Sequence, residues 1–292
     1  MLAQFFVNSL ISGSIYMIVA LSFSIIYTTT NFFHFAHGAI FILGAYFAYL
    51  YTSMLGIWVL ISLPLGILTA TIVGILIELL IYRPLRRKGT TALILLLSSL
   101  GIYIVLQNLI SMVFGDDTKT LRTGPVQEGV EIFGGQITPI QIMIVIVSFI
   151  MLVGCSLLLR YTKTGKAMRA IASNPTLALV SGIDIDKVFL FAFTLGSALA
   201  ALAGVLISYD IDMTPTMGLN FLMMGVVAVI VGGVGSIQGA AFGGFLLAFA
   251  QNFGVWNISS QWQDAIAFVV LLLFLLIRPH GFFGKKIRRV EV

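Results

Sequence analysis

The chain has 292 residues, of which 59% are hydrophobic and only 9% charged, and its mean hydropathy is +1.08. A soluble domain carries about 25% charged residues because its surface faces water, and sixteen Lys and Arg with eleven Asp and Glu cannot cover a surface of this size. A chain this apolar is not disordered either, which leaves an all-α or β-barrel membrane protein with a lipid-facing exterior.

The apolar runs are continuous rather than alternating, which excludes a barrel. Helices satisfy their own backbone groups in lipid, and a crossing needs about 20 mostly apolar residues. In chain order the pattern predicts helices over 5–27, 38–55, 57–82, 92–114, 138–160, 188–209, 221–235, 239–254 and 263–277. The segments 38–55, 221–235 and 239–254 are short and Gly-rich, so a tilted, broken or re-entrant path is expected there and the expected count is about eight crossings. The first twenty residues hold no Lys or Arg, so the basic start of a cleaved signal peptide is missing. The single cysteine, Cys155, lies in an apolar run and cannot form an intrachain disulfide.

The charges orient these helices. Arg83, Arg86, Arg87 and Lys88 form one basic cluster; Arg160, Lys163, Lys166, Arg169 and Lys187 form a second; Arg278, Lys285, Lys286, Arg288 and Arg289 form a third. By the positive-inside rule all three face the cytoplasm. The loop 115–136 and the segment 210–220, with Asp210 and Asp212, then face outside. The net charge of +5 is thus an orientation signal, and no coherent basic face suited to nucleic acid is visible. Residues 221–277 must run from outside to inside, which requires an odd number of crossings. Two echoes, HGAIF (37–41) with QGAAF (238–242) and LLIYRP (79–84) with LLIRP (275–279), point to a possible parallel internal repeat of about 5–88 and 218–288. Such a repeat puts the N-terminus outside.

The segment 161–187 is the one long polar stretch on the cytoplasmic side. It predicts two short helices, Lys166 to Ser173 and Pro175 to Ser181. Asn174 caps the second, Pro175 occupies its first turn and Gly182 stops it. Ala167, Ala170, Ile171, Leu177, Leu179 and Val180 give an apolar side, while Lys166 and Arg169 give a basic one. An amphipathic segment of this kind either lies on the bilayer surface or docks into a groove of a partner.

Polar groups within the spans are functional suspects because lipid does not solvate them. Glu78 is expected either to form an ion pair or to reach to the inner interface. Gln107, Asn108 and Gln251 either line a path or hold helices together. His34 and His37, three residues apart, lack a third ligand nearby, so no metal is expected; a histidine donating to a backbone carbonyl at a helix start, with Asn31 as the cap there, is expected instead. The run 232–244, with Gly232, Gly233 and Gly235, allows either close helix approach or a broken helix beside a path. Ser98 and Ser99 are expected to bond back to their own helix.

Six segments resemble, in the right order, the permeases of the branched-chain amino-acid ABC transporter family. They are NFFHFAHGA (31–39), ELLIYRPLRRKGTTALILLLSSLGIYIVLQNL (78–109), FGDD (114–117), GKAMRAIASNPTLALVSGIDIDK (165–187), GGVGSIQGAAFGG (232–244) and IRPHGFFG (277–284). The resemblance spans nearly the whole chain and is to the first of two permeases of a heterodimer. One departure is Ala39, where the family usually carries an acid after His37 and Gly38, so no carboxylate role is expected there.

The resemblance implies a single transmembrane permease domain over 1–292 in the inner membrane, with 161–187 as its coupling segment. It implies a second permease, two cytoplasmic ATPases and an extracytoplasmic binding protein as partners, besides membrane lipid. Gly165, Lys166, Arg169, Asn174, Pro175 and Gly182 would couple to the ATPases, with Gly165 and Gly182 allowing sharp turns at the segment's ends. His37, Gln107, Asn108, Gly232, Gly233, Gly235 and Gln251 are the path candidates. The chain has no GxxxxGK[ST] phosphate loop, so ATP hydrolysis is expected elsewhere, and no cofactor is expected. Competing readings are a same-family permease for urea or short amides, and a secondary transporter or intramembrane enzyme. The last would want ionisable groups mid-membrane, whereas Glu78 and Asp264 both sit near interfaces.

Overall fold

The computed structural model describes residues 2–122, 129–132, 134–256 and 259–284. All nine expected segments are helical. The elements are α1 (Leu2–Thr30), α2 (Ala36–Tyr49) running into a π-helical turn (Leu50–Met54), and α3 (Val59–Ile77) running through a second π turn (Glu78–Tyr82) into α4 (Arg83–Arg87). Then come α5 (Ala92–Phe114), strands β1 (Val130–Ile132) and β2 (Gly135–Ile137), α6 (Pro139–Tyr161), α7 (Lys163–Ser173) and α8 (Pro175–Val180). The last helices are α9 (Ile185–Asp210), α10 (Met217–Gly232), α11 (Ile237–Gly254) and α12 (Gln263–Ile277). The antiparallel hairpin β1–β2 was not expected; it lies within the loop assigned to the exterior.

Helix α1 is the axis of the bundle. Its 29 residues rise about 43 Å, and it touches α6, α9, α10 and α11. Ser9, Gly13, Ser14, Ala20, Ser22 and Ser24 are all buried along it. Small and hydroxyl side chains of this kind let helices approach closely within a membrane, and each hydroxyl can bond its own backbone. Ser9 and Ser14 bond Phe5 O and Leu10 O, both at 2.7 Å. Helices α5, α6 and α12 form the periphery, and α12 exposes Val269, Leu272, Leu273, Leu275 and Leu276. Among the described residues six helices are long and apolar enough to cross a membrane singly; α2 is shorter, and α10 with α11 qualify as a pair bent by 117°.

Long-range contacts sort the loops into two ends. At one end Gln4 Nε2 donates to Gln136 O at 3.0 Å and Gln136 N donates to Gln4 Oε1 at 2.8 Å. The Phe5 ring stacks on Trp256 at 5.7 Å, and Lys119 exchanges backbone hydrogen bonds with Met213. At the other end Asp186 accepts from Arg83 and Arg87 at 2.9 and 2.8 Å, and Phe282 N and Phe283 N donate to Val231 O and Gly232 O. The second end holds the described basic clusters and is the cytoplasmic one by the positive-inside rule. The N-terminus therefore lies outside. The α10–α11 bend is a reversal, because α11 returns to the end where Trp256 meets Phe5, so residues 217–277 make three passes. The echoed segments open α2 and α11 and close α3 and α12, equivalent places in the two halves. Lys285, Lys286, Arg288, Arg289 and Glu128 lie outside the described residues.

Candidate functional site

The cytoplasmic segment forms two helices set at an angle. Thr162 Oγ1 accepts from Gly165 N at 3.0 Å and caps α7; Asn174 Oδ1 accepts from Leu177 N at 3.0 Å and caps α8, with Pro175 at its first position. Asn174 also separates them, since its backbone is extended (φ −157°). Gly182 has φ +80°, the left-handed stop that favours glycine. Gly165 departs from the expected sharp turn. It lies within α7, where a Cβ would meet the Leu159 backbone, so it serves close approach of α7 to α6 rather than a turn.

Met168 and Ile171 bury α7 against the bundle, where it touches α1, α6 and α9. The α8 side is different: Ala178 is buried, but Leu177, Leu179 and Val180 are 63%, 60% and 81% exposed. The apolar residues read as one side of the segment are thus two surfaces, one holding it to the bundle and one facing outward. Lys166 and Arg169 are on α7, and Arg169 Nη2 donates to Arg160 O at 3.4 Å. Asp184 caps α9 by accepting from Lys187 N at 3.2 Å. That backbone bond, with the Lys187 ammonium at 3.1 Å, holds its carboxyl below the usual range.

The histidines pair with side chains. His34 Nδ1 bonds Tyr82 Oη at 3.0 Å, and His37 Nε2 bonds Ser22 Oγ at 2.7 Å. The expected bond to a backbone carbonyl is therefore corrected, because two hydroxyls from other helices reach the rings first. Asn31 is not the cap of α2; it adopts φ +56° and its N–H closes α1 on Tyr27 O at 2.8 Å. Among the described residues His34 Nε2 and His37 Nδ1 have no protein partner; the His34 ring is packed among Phe32, Phe193 and Tyr82, and the His37 ring against Phe23. Ser99 does bond back to Leu96 O at 2.7 Å, and it also joins the break between α1 and α2 through Phe33 O and Phe35 N. Glu78 is fully buried and pairs with Arg86, two turns on, rather than reaching the interface.

The remaining candidates do not converge on one cavity. Gln251 is buried and ties α11 to Met224 Sδ at 3.4 Å and to Gln263 O at 3.1 Å. Gly232, Gly233 and Gly235 lie at the cytoplasmic reversal of α10 into α11. Gly233 (φ +106°) and Gly235 (φ +85°) make that turn, while Gly232 packs against Gly239. Gln107 is half-buried, and Asn108 stands on the outer surface of α5 with Nδ2 on Ile104 O at 2.7 Å. Sequence reasoning missed Tyr82 and Ser22 as partners of the histidines. The signal for Tyr82 was its place between Glu78 and Arg83 in an otherwise aliphatic run; Ser22 carried none beyond its hydroxyl.

An α-helical bundle with a central helix of small residues, three outer crossings and a cytoplasmic helix pair defines a multi-pass membrane protein. The model of the family described as branched-chain amino acid transport system / permease component matches residues 5–275, and the chain belongs to that family. It is 33% identical to the high-affinity branched-chain amino acid transport system permease protein BraD of Pseudomonas aeruginosa, over 97% of this chain and 95% of that one. It is equally similar to LivH of Escherichia coli (strain K12), 33% over 95% and 94% of the two chains. A solved structure titled PsaBC from Streptococcus pneumoniae in complex with Fab shares the fold, with a TM-score of 0.54 and 16% identity over 96% of this chain and 97% of that one. The protein is a transport permease subunit of the inner membrane.

Proposed function

We propose that the chain forms the membrane path of an ATP-driven importer of branched-chain amino acids. Its partners in this reading are a second permease, two cytoplasmic ATPases and an extracytoplasmic binding protein. The observation that carries the proposal is the α7–α8 pair. It presents Leu177, Leu179 and Val180 to the cytoplasm beside Lys166 and Arg169, a surface suited to a groove on an ATPase. Its ends are fixed by caps at Thr162 and Asn174 and by the Gly182 stop. Because α7 packs on α1, α6 and α9, displacement of α8 by a closing ATPase would rock the bundle's axis.

The path candidates divide by burial. His37 and Gln251 are engaged inside the bundle and serve helix packing in this reading. In this reading Asn108 and its neighbour Gln107 face the second permease, and the α5 surface that exposes Asn108 with Leu97, Leu100, Ile104 and Met112 supports it. A greasy wall with an amide suits an aliphatic amino acid, whose side chain is apolar and whose ends are charged. The substrate itself is supported by the names of the relatives. The test is reconstitution with candidate binding proteins and ATPases, comparing uptake of labelled leucine and labelled urea. ATP-dependent leucine uptake is expected; urea uptake alone would overturn the substrate assignment.

A further inference from the structure

A groove of about 330 Å³ opens between α6 and α11, lined by Leu152, Val153, Ser156, Leu157, Gln238 and Ala241. Val153 and Leu157 are exposed on its rim, at the depth of the hydrocarbon. Two polar side chains, Ser156 and Gln238, nevertheless line it. Polar groups facing lipid are costly unless a partner satisfies them. Gln238 is not spent on capping α11, because Ser236 Oγ already accepts from Gly239 N at 3.0 Å.

On α6, Leu152, Ser156 and Arg160 are spaced by four and share one face, so the groove leads to Arg160 at the cytoplasmic end. Arg169 reaches the Arg160 carbonyl, and Lys163 and Lys166 follow within two turns. Among the described residues none of these four cations has an ion pair. The acids nearest in sequence, Asp184 and Asp186, are held by Lys187 and by Arg83 and Arg87. Four unneutralised cations thus stand at the mouth of a groove that is apolar inside and polar midway.

We propose that this groove binds an anionic phospholipid of the inner leaflet. The phosphate sits at Arg160, and one acyl chain lies along Leu152, Val153 and Leu157. Ser156 is about 6 Å above Arg160 along the helix axis, close to the separation of a phospholipid's phosphate from its ester carbonyls. The Ser156 hydroxyl and the Gln238 amide then donate to those carbonyls. Charge complementarity selects an anionic headgroup over a zwitterionic one. The assignment rests on the orientation of the membrane and is independent of the transported solute.

The test is native mass spectrometry of the full chain in nanodiscs of phosphatidylglycerol mixed with phosphatidylcholine. Ser156→Phe fills the groove, Gln238→Leu removes a donor and Arg160→Gln removes the phosphate partner; Gln238 and Arg160 are exposed, Ser156 is half-buried on the groove wall, and Arg169 is left intact. The wild type should retain a phosphatidylglycerol that survives collisional activation. Ser156→Phe should lose it, and Arg160→Gln should reduce the preference over phosphatidylcholine about tenfold. Inorganic phosphate at millimolar concentration should not displace it. Equal retention by wild type and Ser156→Phe, no headgroup preference in the wild type, or displacement by free phosphate would each overturn the proposal.

Discussion

Two basic clusters face the same side of the membrane and are built in opposite ways. At the end of α3 and α4 three of the four cations are ion-paired, Arg86 with the buried Glu78 and Arg83 and Arg87 with Asp186, and Lys88 alone has no acidic partner among the described residues. The Arg86 guanidinium also stacks over Phe189 at 4.6 Å. At the end of α6 and along α7, Arg160, Lys163, Lys166 and Arg169 have no acidic partner among the described residues. The first cluster locks α3 to α9 and belongs to the fold. The second is left open, as a surface meant for partners is. Equal basic content therefore carries two meanings, and the acids decide between them.

The largest expected effect lies in the open cluster and its stop. Arg169→Glu or Gly182→Pro should abolish ATP-dependent uptake while the permease remains in the membrane at normal abundance, checked by uptake in vesicles alongside immunoblotting. A proline cannot adopt the φ of +80° at Gly182, so α8 would be released from its seat. Normal uptake by both variants would mean that the open cluster is not the coupling surface. Next comes the closed cluster. Arg86→Ala leaves Glu78 buried without its partner, and removing one member of a buried pair costs about 3–5 kcal/mol. Thermal unfolding of the purified protein should shift down markedly, and Glu78→Gln added to Arg86→Ala should restore much of the loss.

A smaller effect is expected at Asp186. Its pairs with Arg83 and Arg87 are partly exposed, the Asp186 carboxylate at 30% and the two arginines at 36% and 64%, so solvent screening holds their contribution to about 1 kcal/mol or less. Asp186→Asn should shift the unfolding midpoint only slightly and leave uptake intact. A shift as large as that of Arg86→Ala would show that α3 and α9 are fastened at the rim rather than at Glu78.

The nine helices and the two-helix insert were legible in the sequence because hydropathy and capping residues are local signals. Asn174, Pro175 and Gly182 act where their chemistry says they should. The arrangement was much less legible. Lipid and protein interior are equally apolar, so hydropathy does not tell the central α1 from the peripheral α12. The distinction lies instead in size: Ser9, Gly13, Ser14 and Ser22 against Leu272, Leu273, Leu275 and Leu276. The pairings of His34 with Tyr82 and of Glu78 with Arg86 were not legible in full either. The first depends on how α2 re-enters beside α3, and the second on the π turn that rotates Glu78 inward and brings Arg86 beneath it.

Asp184 carries the smallest expected effect, and it lies between the two clusters. Its carboxylate caps α9 and is paired with the exposed Lys187, so its pKa in the folded protein lies below that in the unfolded chain. A depressed carboxylate pKa adds stability that is complete above the unfolded value and fades as pH falls through the folded one. The contribution is therefore full at neutral pH and declines only below about pH 4. Asp184→Asn keeps a capping oxygen but loses the charge that faces Lys187, so it should lie slightly below the wild type at pH 7, converge with it toward pH 3 and show a flatter acid limb when unfolding midpoints are followed between them. Asp184→Ala should lower the midpoint slightly at pH 7 as well. If Asp184→Asn instead lowered uptake without moving the midpoint, the start of α9 would belong to the open, partner-facing surface, and the boundary between the clusters would move to Asp186.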